Sequence, residues 1–144
     1  MSETFERDGI SFRYPADWTA ETEEDADGGW TVTASSRDTA FFLASLQPGA
    51  SDAGTLADQA LDSLKGVYAE LDAEPAMETI CKRPAVGYDA DFLTADTAAI
   101  CRVRGLDTFA GPLLLLAQVS EFDREKNDPV LRAIVRSLDA DTDR

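Results

Sequence analysis

Leu113-Leu114-Leu115-Leu116-Ala117-Gln118-Val119 is apolar at nearly every consecutive position. Successive strand residues point to opposite faces, so such a strand needs cover on both of them. Ala40-Phe41-Phe42-Leu43-Ala44-Ser45-Leu46 repeats the pattern. Both segments therefore belong in the middle of a sheet, and their composition predicts a helix over each face, three layers in all.

Two segments carry helical spacing. After the loop Gln47–Gly54, the residues Leu56, Ala60, Leu61, Leu64, Val67, Tyr68 and Leu71 recur at threes and fours. Thr55 is the expected cap, with Asp58 completing a capping-box variant. Gly66 weakens this helix by about 1 kcal/mol relative to Ala, and Pro75 stops any continuation. The second helix is expected to open at Asp128-Pro129, with Pro in the first helical position. It turns Val130, Leu131, Ile134, Val135 and Leu138 inward and Arg132 and Arg136 outward. Ile10–Tyr14 and Trp30–Ser35 alternate, as one-faced strands do.

A hairpin between Ala85–Ala95 and Ala98–Gly105 is the most detailed expectation. A short turn at Asp96-Thr97 sets Asp91 opposite Arg102 and Asp89 opposite Arg104 on one face. On the other it sets Phe92 opposite Cys101, Ala90 opposite Val103 and Tyr88 opposite Gly105. Opposite charges meet, and apolar residues meet apolar ones.

The 144 residues suit one domain, with an ordered core over 3–138 and a loose acidic tail over 139–144. Twenty-eight acids against 13 bases give a net charge of −15, and there is no histidine. His-based nucleophilic triads and His-ligated zinc are thereby excluded. So is nucleic-acid binding of the ordinary electrostatic kind. Asp outnumbers Glu 18 to 10 and Arg outnumbers Lys 10 to 3, a balance that fits either salt adaptation or base composition. The chain opens without a basic-then-apolar leader, and its longest apolar run is far short of the ~20 residues of a bilayer span. A cytoplasmic location is expected, with Cys81 and Cys101 as reduced, buried thiols.

Gly9-Ile10-Ser11-Phe12-Arg13-Tyr14-Pro15-Ala16-Asp17-Trp18 is similar to the opening of PsbP-like proteins. That superfamily includes the Mog-like proteins, bacterial PsbP-like proteins of unassigned role, and chaperones of toxins secreted by contractile injection systems. The resemblance runs over roughly Thr4 to Leu138. It implies an α+β, three-layer α/β/α sandwich with a central antiparallel sheet. It implies no cofactor or metal, because no family site for calcium, manganese or Ran is reproduced. Tyr14, Pro15 and Trp18 read as a structural motif: Pro15 stops the strand and the two rings bury beside the turn.

Two constellations invite a site. Glu23, Asp25, Asp27 and Gly28 fall at calcium-loop spacing, but position twelve is Ala34, so a solvated acidic turn accounts for them. Asp89, Asp91, Arg102 and Arg104 form a ladder that can line a polar cleft. Neither cysteine has a neighbouring base, and no phosphate loop or nucleophile elbow occurs. The expectation is a non-enzymatic protein-binding or adaptor module. Its alternatives are a chaperone-like partner of a secreted effector, as a possible homodimer, and a small-ligand or metal-binding sensor.

Overall fold

The computed structural model describes residues 1–141. In chain order the elements are β1 (Ser2–Arg7), β2 (Ile10–Pro15), β3 (Thr19–Glu24), β4 (Trp30–Ser35), β5 (Phe41–Leu46), α1 (Ala53–Val67), β6 (Asp72–Ile80), β7 (Arg83–Leu93), β8 (Ala98–Thr108), β9 (Gly111–Ser120) and α2 (Arg124–Ser137). Strands β1 and β2 make a separate hairpin. The other seven form one antiparallel sheet in the order β3-β4-β5-β9-β8-β7-β6. The Leu113–Val119 run lies in the central strand and the Ala40–Leu46 run beside it, where their two-sided apolar character places them.

The two faces of the sheet carry separate cores. On one, the β1-β2 hairpin and α2 enclose Ile10, Phe12, Trp30, Phe42, Leu131 and Ile134. Phe5 packs against Trp30 and Phe12 against Phe42, with ring centroids 5.1 and 5.0 Å apart. Trp18 is buried in this core and its backbone N–H donates to Pro15 O at 3.0 Å, closing the turn. On the opposite face α1 lies over β7, β8 and β9 and buries Leu56, Ala57, Phe92, Cys101, Val103 and Leu114. Its first turn sits directly on Gly105, where a Cβ would stand 2.3 Å from the Ala53 carbonyl oxygen.

Helical cover is thus displaced from face to face. The α1 side of β5 (Phe41, Leu43) is half-buried, although α1 packs on β7–β9. A two-sided apolar strand did not require a helix on each side here, because side chains of adjacent strands supply part of the cover.

Both helix starts differ from expectation. The cap of α1 is Asp52, whose Oδ1 accepts the Thr55 N–H at 2.8 Å, so Thr55 lies inside the first turn. Helix α2 begins at Arg124 and holds Pro129 within it. Its start is fixed by Asp123, a buried carboxylate that accepts the Thr39 hydroxyl and Asn127 Nδ2, the former at 2.5 Å and the latter at 2.7 Å. Those bonds hold the turn that Pro129, lacking an N–H, does not reinforce.

The chain ends are more tied down than expected. Ser2 already belongs to β1. Asp139 exchanges two backbone hydrogen bonds with Ser11, at 2.9 and 2.8 Å. Asp141 forms an ion pair with Arg83 and accepts the Phe109 N–H at 2.9 Å. A loose tail therefore does not begin at 139. The rest of the expected tail, 142–144, lies outside the described residues.

Candidate functional site

The β7-β8 hairpin exists but its register differs by two residues from the expected one. Asp89 faces Arg102, Asp91 faces Ile100, Tyr88 faces Val103 and Ala90 faces Cys101. The connection is the four-residue Thr94–Thr97, closed by the Thr94 N–H on Thr97 O at 2.7 Å and by the Thr94 hydroxyl on the same oxygen at 2.9 Å. A two-residue shift leaves every side chain on its original face. The inward and outward pattern is therefore the same in both registers, while the charge pairing differs: the expected register gives Asp91 an Arg and the observed one gives it Ile100.

The shift redistributes the charges. Arg104, 7% exposed, makes four hydrogen bonds from its guanidinium within the sheet. Its Nε donates to Glu78 Oε2 at 2.6 Å and Nη2 to Asp89 Oδ1 at 2.9 Å. Nη1 reaches the carbonyls of Tyr88 and Val103 at 3.1 and 3.0 Å. One side chain on β8 thus clamps β7 and the edge strand β6. Arg102 turns away from β7 to α2, where Nη2 lies 2.9 Å from Asp128 Oδ1. Arg132 Nε holds the other oxygen of Asp128 at 3.1 Å. Burial alone pushes the Asp128 carboxyl up, but the Arg102 and Arg132 guanidiniums outweigh it and hold the group below the ordinary carboxylate range.

Asp91 is left without a base. It is exposed, and its direct partner across the β6-β7 ladder is another exposed carboxylate, Asp72. Like charges directly opposite are destabilising. Among the described residues neither side chain has an ion-pair or hydrogen-bond partner. The pair opens into a cleft of about 430 Å³ at the end of the sheet, between the α1-β6 and β9-α2 connections. Glu70 and Glu121 add two carboxylates to its walls and Arg124 one guanidinium, while Leu93, Ile100 and Val119 supply apolar surface. Leu93 is 63% exposed, and Phe122, between the lining residues Glu121 and Arg124, is 72% exposed. The volume is within the range of ordinary ligand sites.

Of the four residues expected to line a polar cleft, only Asp91 does so. Arg104 and Asp89 form a structural clamp, and Arg102 braces α2. Asp72 and Glu70 escaped the sequence because β6 gives no alternating apolar signal and Pro75 reads as a stop. In the structure β6 is an edge strand, a sheet position that tolerates Pro in mid-strand. That a strand must fill the space between α1 and the hairpin was the available hint.

Glu23, Asp25 and Asp27 lie at the exposed β3-β4 turn, where Gly28 adopts φ +89° and Asp27 Oδ1 accepts the Gly29 N–H at 3.1 Å. Among the described residues no three acidic or sulfur side chains are grouped to hold a metal ion. Cys101 is fully buried under α1, and that burial drives its thiol up to about 12. Burial also raises the half-buried Cys81. Both thiols are protonated at neutral pH, which removes the reactive thiolate form.

No family model and no curated protein matches the chain. Solved structures do resemble it. The solution structure of cyanobacterial PsbP (CyanoP) from Synechocystis sp. PCC 6803 aligns with a TM-score of 0.60 at 14% identity, over 97% of this chain and 91% of the other. PA94 from Pseudomonas aeruginosa, a protein of unknown function, aligns at 0.55 and 12% identity over 94% of each chain. A Bacteroides thetaiotaomicron structure aligns at 0.55 and 18%, over 92% of this chain and 45% of that one. The chain therefore has a PsbP-like fold, mostly antiparallel sheet with two helices. Among the described residues no helix is long and apolar enough to cross a membrane.

Proposed function

We propose that this protein is a non-enzymatic binding module that holds a protein partner at the open end of its sheet. The observation that carries the reading is the cleft where Asp72 and Asp91 stand unpaired above an apolar floor. Leu93, on its rim, is 63% exposed and extends the apolar surface outward. A small enclosed ligand would leave the outer part of Leu93 in water, whereas a polypeptide covers it. We also read the hairpin-plus-α2 cover and the α1 cover as the outer layers of a three-layer sandwich. In that arrangement the sheet's end is where backbone and side chains remain accessible.

A selection from a random peptide display library against the folded protein, counter-screened on Leu93→Asp, tests the reading. Binders that lose at least tenfold in affinity on Leu93→Asp support it. An empty selection, or binders indifferent to that substitution, overturns it.

A further inference from the structure

We infer that the segment bound at the sheet's end is basic and amphipathic, with Lys or Arg placed between Asp72 and Asp91 and apolar side chains laid along Leu93, Ile100 and Val119. The inference rests on the binding-module reading above and adds the chemistry of the partner.

Three observations carry it. First, the charges of the cleft do not balance. Glu70, Asp72, Asp91 and Glu121 face it against Arg124 alone, four negative groups to one positive. Second, the imbalance sits on a feature that costs stability. Asp72 and Asp91 are directly opposite across an antiparallel ladder, and among the described residues neither has a cation to relieve the repulsion. The adjoining like-charge pair, Glu74 opposite Asp89, is treated differently: Arg104 neutralises Asp89 from β8. The sheet thus supplies a base to one acidic pair and leaves the next, two residues along each strand, to whatever enters the cleft. Third, the surface is apolar between its carboxylates. Ile100 and Val119 lie on its floor, and Leu93 is exposed beside it. A simple hydrated cation has no use for that surface. A cationic side chain on an apolar backbone segment uses both parts, its aliphatic stem lying on the floor while its charged head meets the two carboxylates.

The same geometry argues against a second copy of this chain as the occupant. At −15 net charge, two copies repel, and the cleft would meet a surface of its own sign.

The test uses the peptides obtained by the display selection, synthesised and titrated calorimetrically against the full chain. The inference expects enriched sequences to carry Lys or Arg among apolar residues. It expects affinity to fall several-fold between 50 and 300 mM NaCl, and at least tenfold on Asp91→Lys. Circular dichroism of that variant and of the milder Asp91→Asn checks that the fold is intact. Asp91→Asn should weaken binding less than Asp91→Lys does. Leu93-dependent binders that are neutral or acidic, or indifferent to both salt and Asp91→Lys, overturn the basic-partner inference and leave the binding module standing. An empty selection, or one that ignores Leu93→Asp, takes both down.

Discussion

The two ends of the sheet are covered on opposite faces. Over β4 and β5 the cover is the β1-β2 hairpin with α2, built from rings meeting at an angle: Phe5 tilted on Trp30, Phe12 edge-on to Phe42. Over β7, β8 and β9 it is α1, which packs Leu56 and the stacked Tyr68–Phe92 pair on the sheet and, at its first turn, brings its backbone into contact with Gly105. Both halves bury large side chains, but only the α1 half adds a close backbone approach, at Gly105. The faces left without a helix differ as well. Beside β5 they are half-buried Thr31, Thr33, Phe41 and Leu43; beside β7 they are the carboxylates Asp72, Glu74, Asp89 and Asp91. Apolar residues close a bare sheet face by leaning on each other, whereas charges keep it open to solvent. The candidate site therefore lies at the acidic end.

If the ring-built half depends on volume, Phe42→Ala should be the most damaging substitution. Phe42 is fully buried against Phe12, and emptying that space is expected to cost about 3–5 kcal/mol, measured by urea unfolding. In the α1 half the opposite manoeuvre is the damaging one. Gly105→Ala adds a single methyl where Ala53 O already stands at 2.3 Å, backbone against backbone, so α1 must shift outward. A loss of about 2–3 kcal/mol is expected. A Gly105→Ala protein as stable as its parent would mean that α1 floats on the sheet, and the contrast between the two halves would fail.

A smaller effect links the halves through charge. Arg102 on β8 reaches Asp128 on α2 across the face that the two halves share. Asp128→Asn should cost about 1.5–3 kcal/mol at pH 7, since the pair is partly buried and charge-assisted. The pH dependence has a definite sign. Because the folded-state carboxyl is held below its unfolded value, its stabilisation is fully present above that value, ~3.9. It is lost as pH falls through the lower folded value. The gap between parent and Asp128→Asn melting temperatures should therefore be constant above about pH 5 and close below pH 4. A gap that persists unchanged to pH 2.5 would show that Asp128 acts by packing alone.

How far the sequence foretold all this depends on which force set each feature. The apolar runs in β5 and β9 were legible because burial on two faces leaves a continuous hydrophobic record. Of the Tyr14-Pro15-Trp18 motif, the turn after Pro15 and the buried Trp18 were legible, whereas Tyr14, expected to bury its ring, is only half-buried. The β7-β8 register was not legible, because period-two patterning is blind to a shift of two. The deciding information sat in Thr94, whose hydroxyl closes a four-residue loop, and a loop hydroxyl leaves no periodic trace. That misreading reached the site directly: in the expected register Asp91 is neutralised by Arg102, and in the observed one it is free. The two-residue turn from β6 to β7 was equally hidden. Cys81 and Lys82 both adopt positive φ, 45° and 68°, where Asn and Gly are the usual signals, whereas the β1-β2 turn uses Asp8-Gly9 in the expected way. Lys82→Gly should consequently raise stability by about 1 kcal/mol, since a left-handed non-glycine residue costs ~1–2 kcal/mol and part of that returns as unfolded-state entropy. A drop instead would mean that the Lys82 side chain makes a compensating contact.

The smallest expected effect bears on the acidic end itself. If Asp72 and Asp91 are held opposite one another at a cost, then neutralising either should stabilise the free protein, by about 0.2–1 kcal/mol. The same change at Asp89 should do the reverse, because Asp89 already satisfies Arg104 Nη2. Asp91→Asn and Asp89→Asn are chemically identical edits, two positions apart on one face of one strand, so propensity and solvation largely cancel between them. Opposite signs in their chemical unfolding midpoints at 50 mM salt would isolate the unbalanced pair, and the Asp91→Asn gain should shrink at 1 M salt as the repulsion is screened. Equal signs would mean that Asp91 is paid no penalty by Asp72, and with that the electrostatic reason for a cation to enter the cleft would be gone.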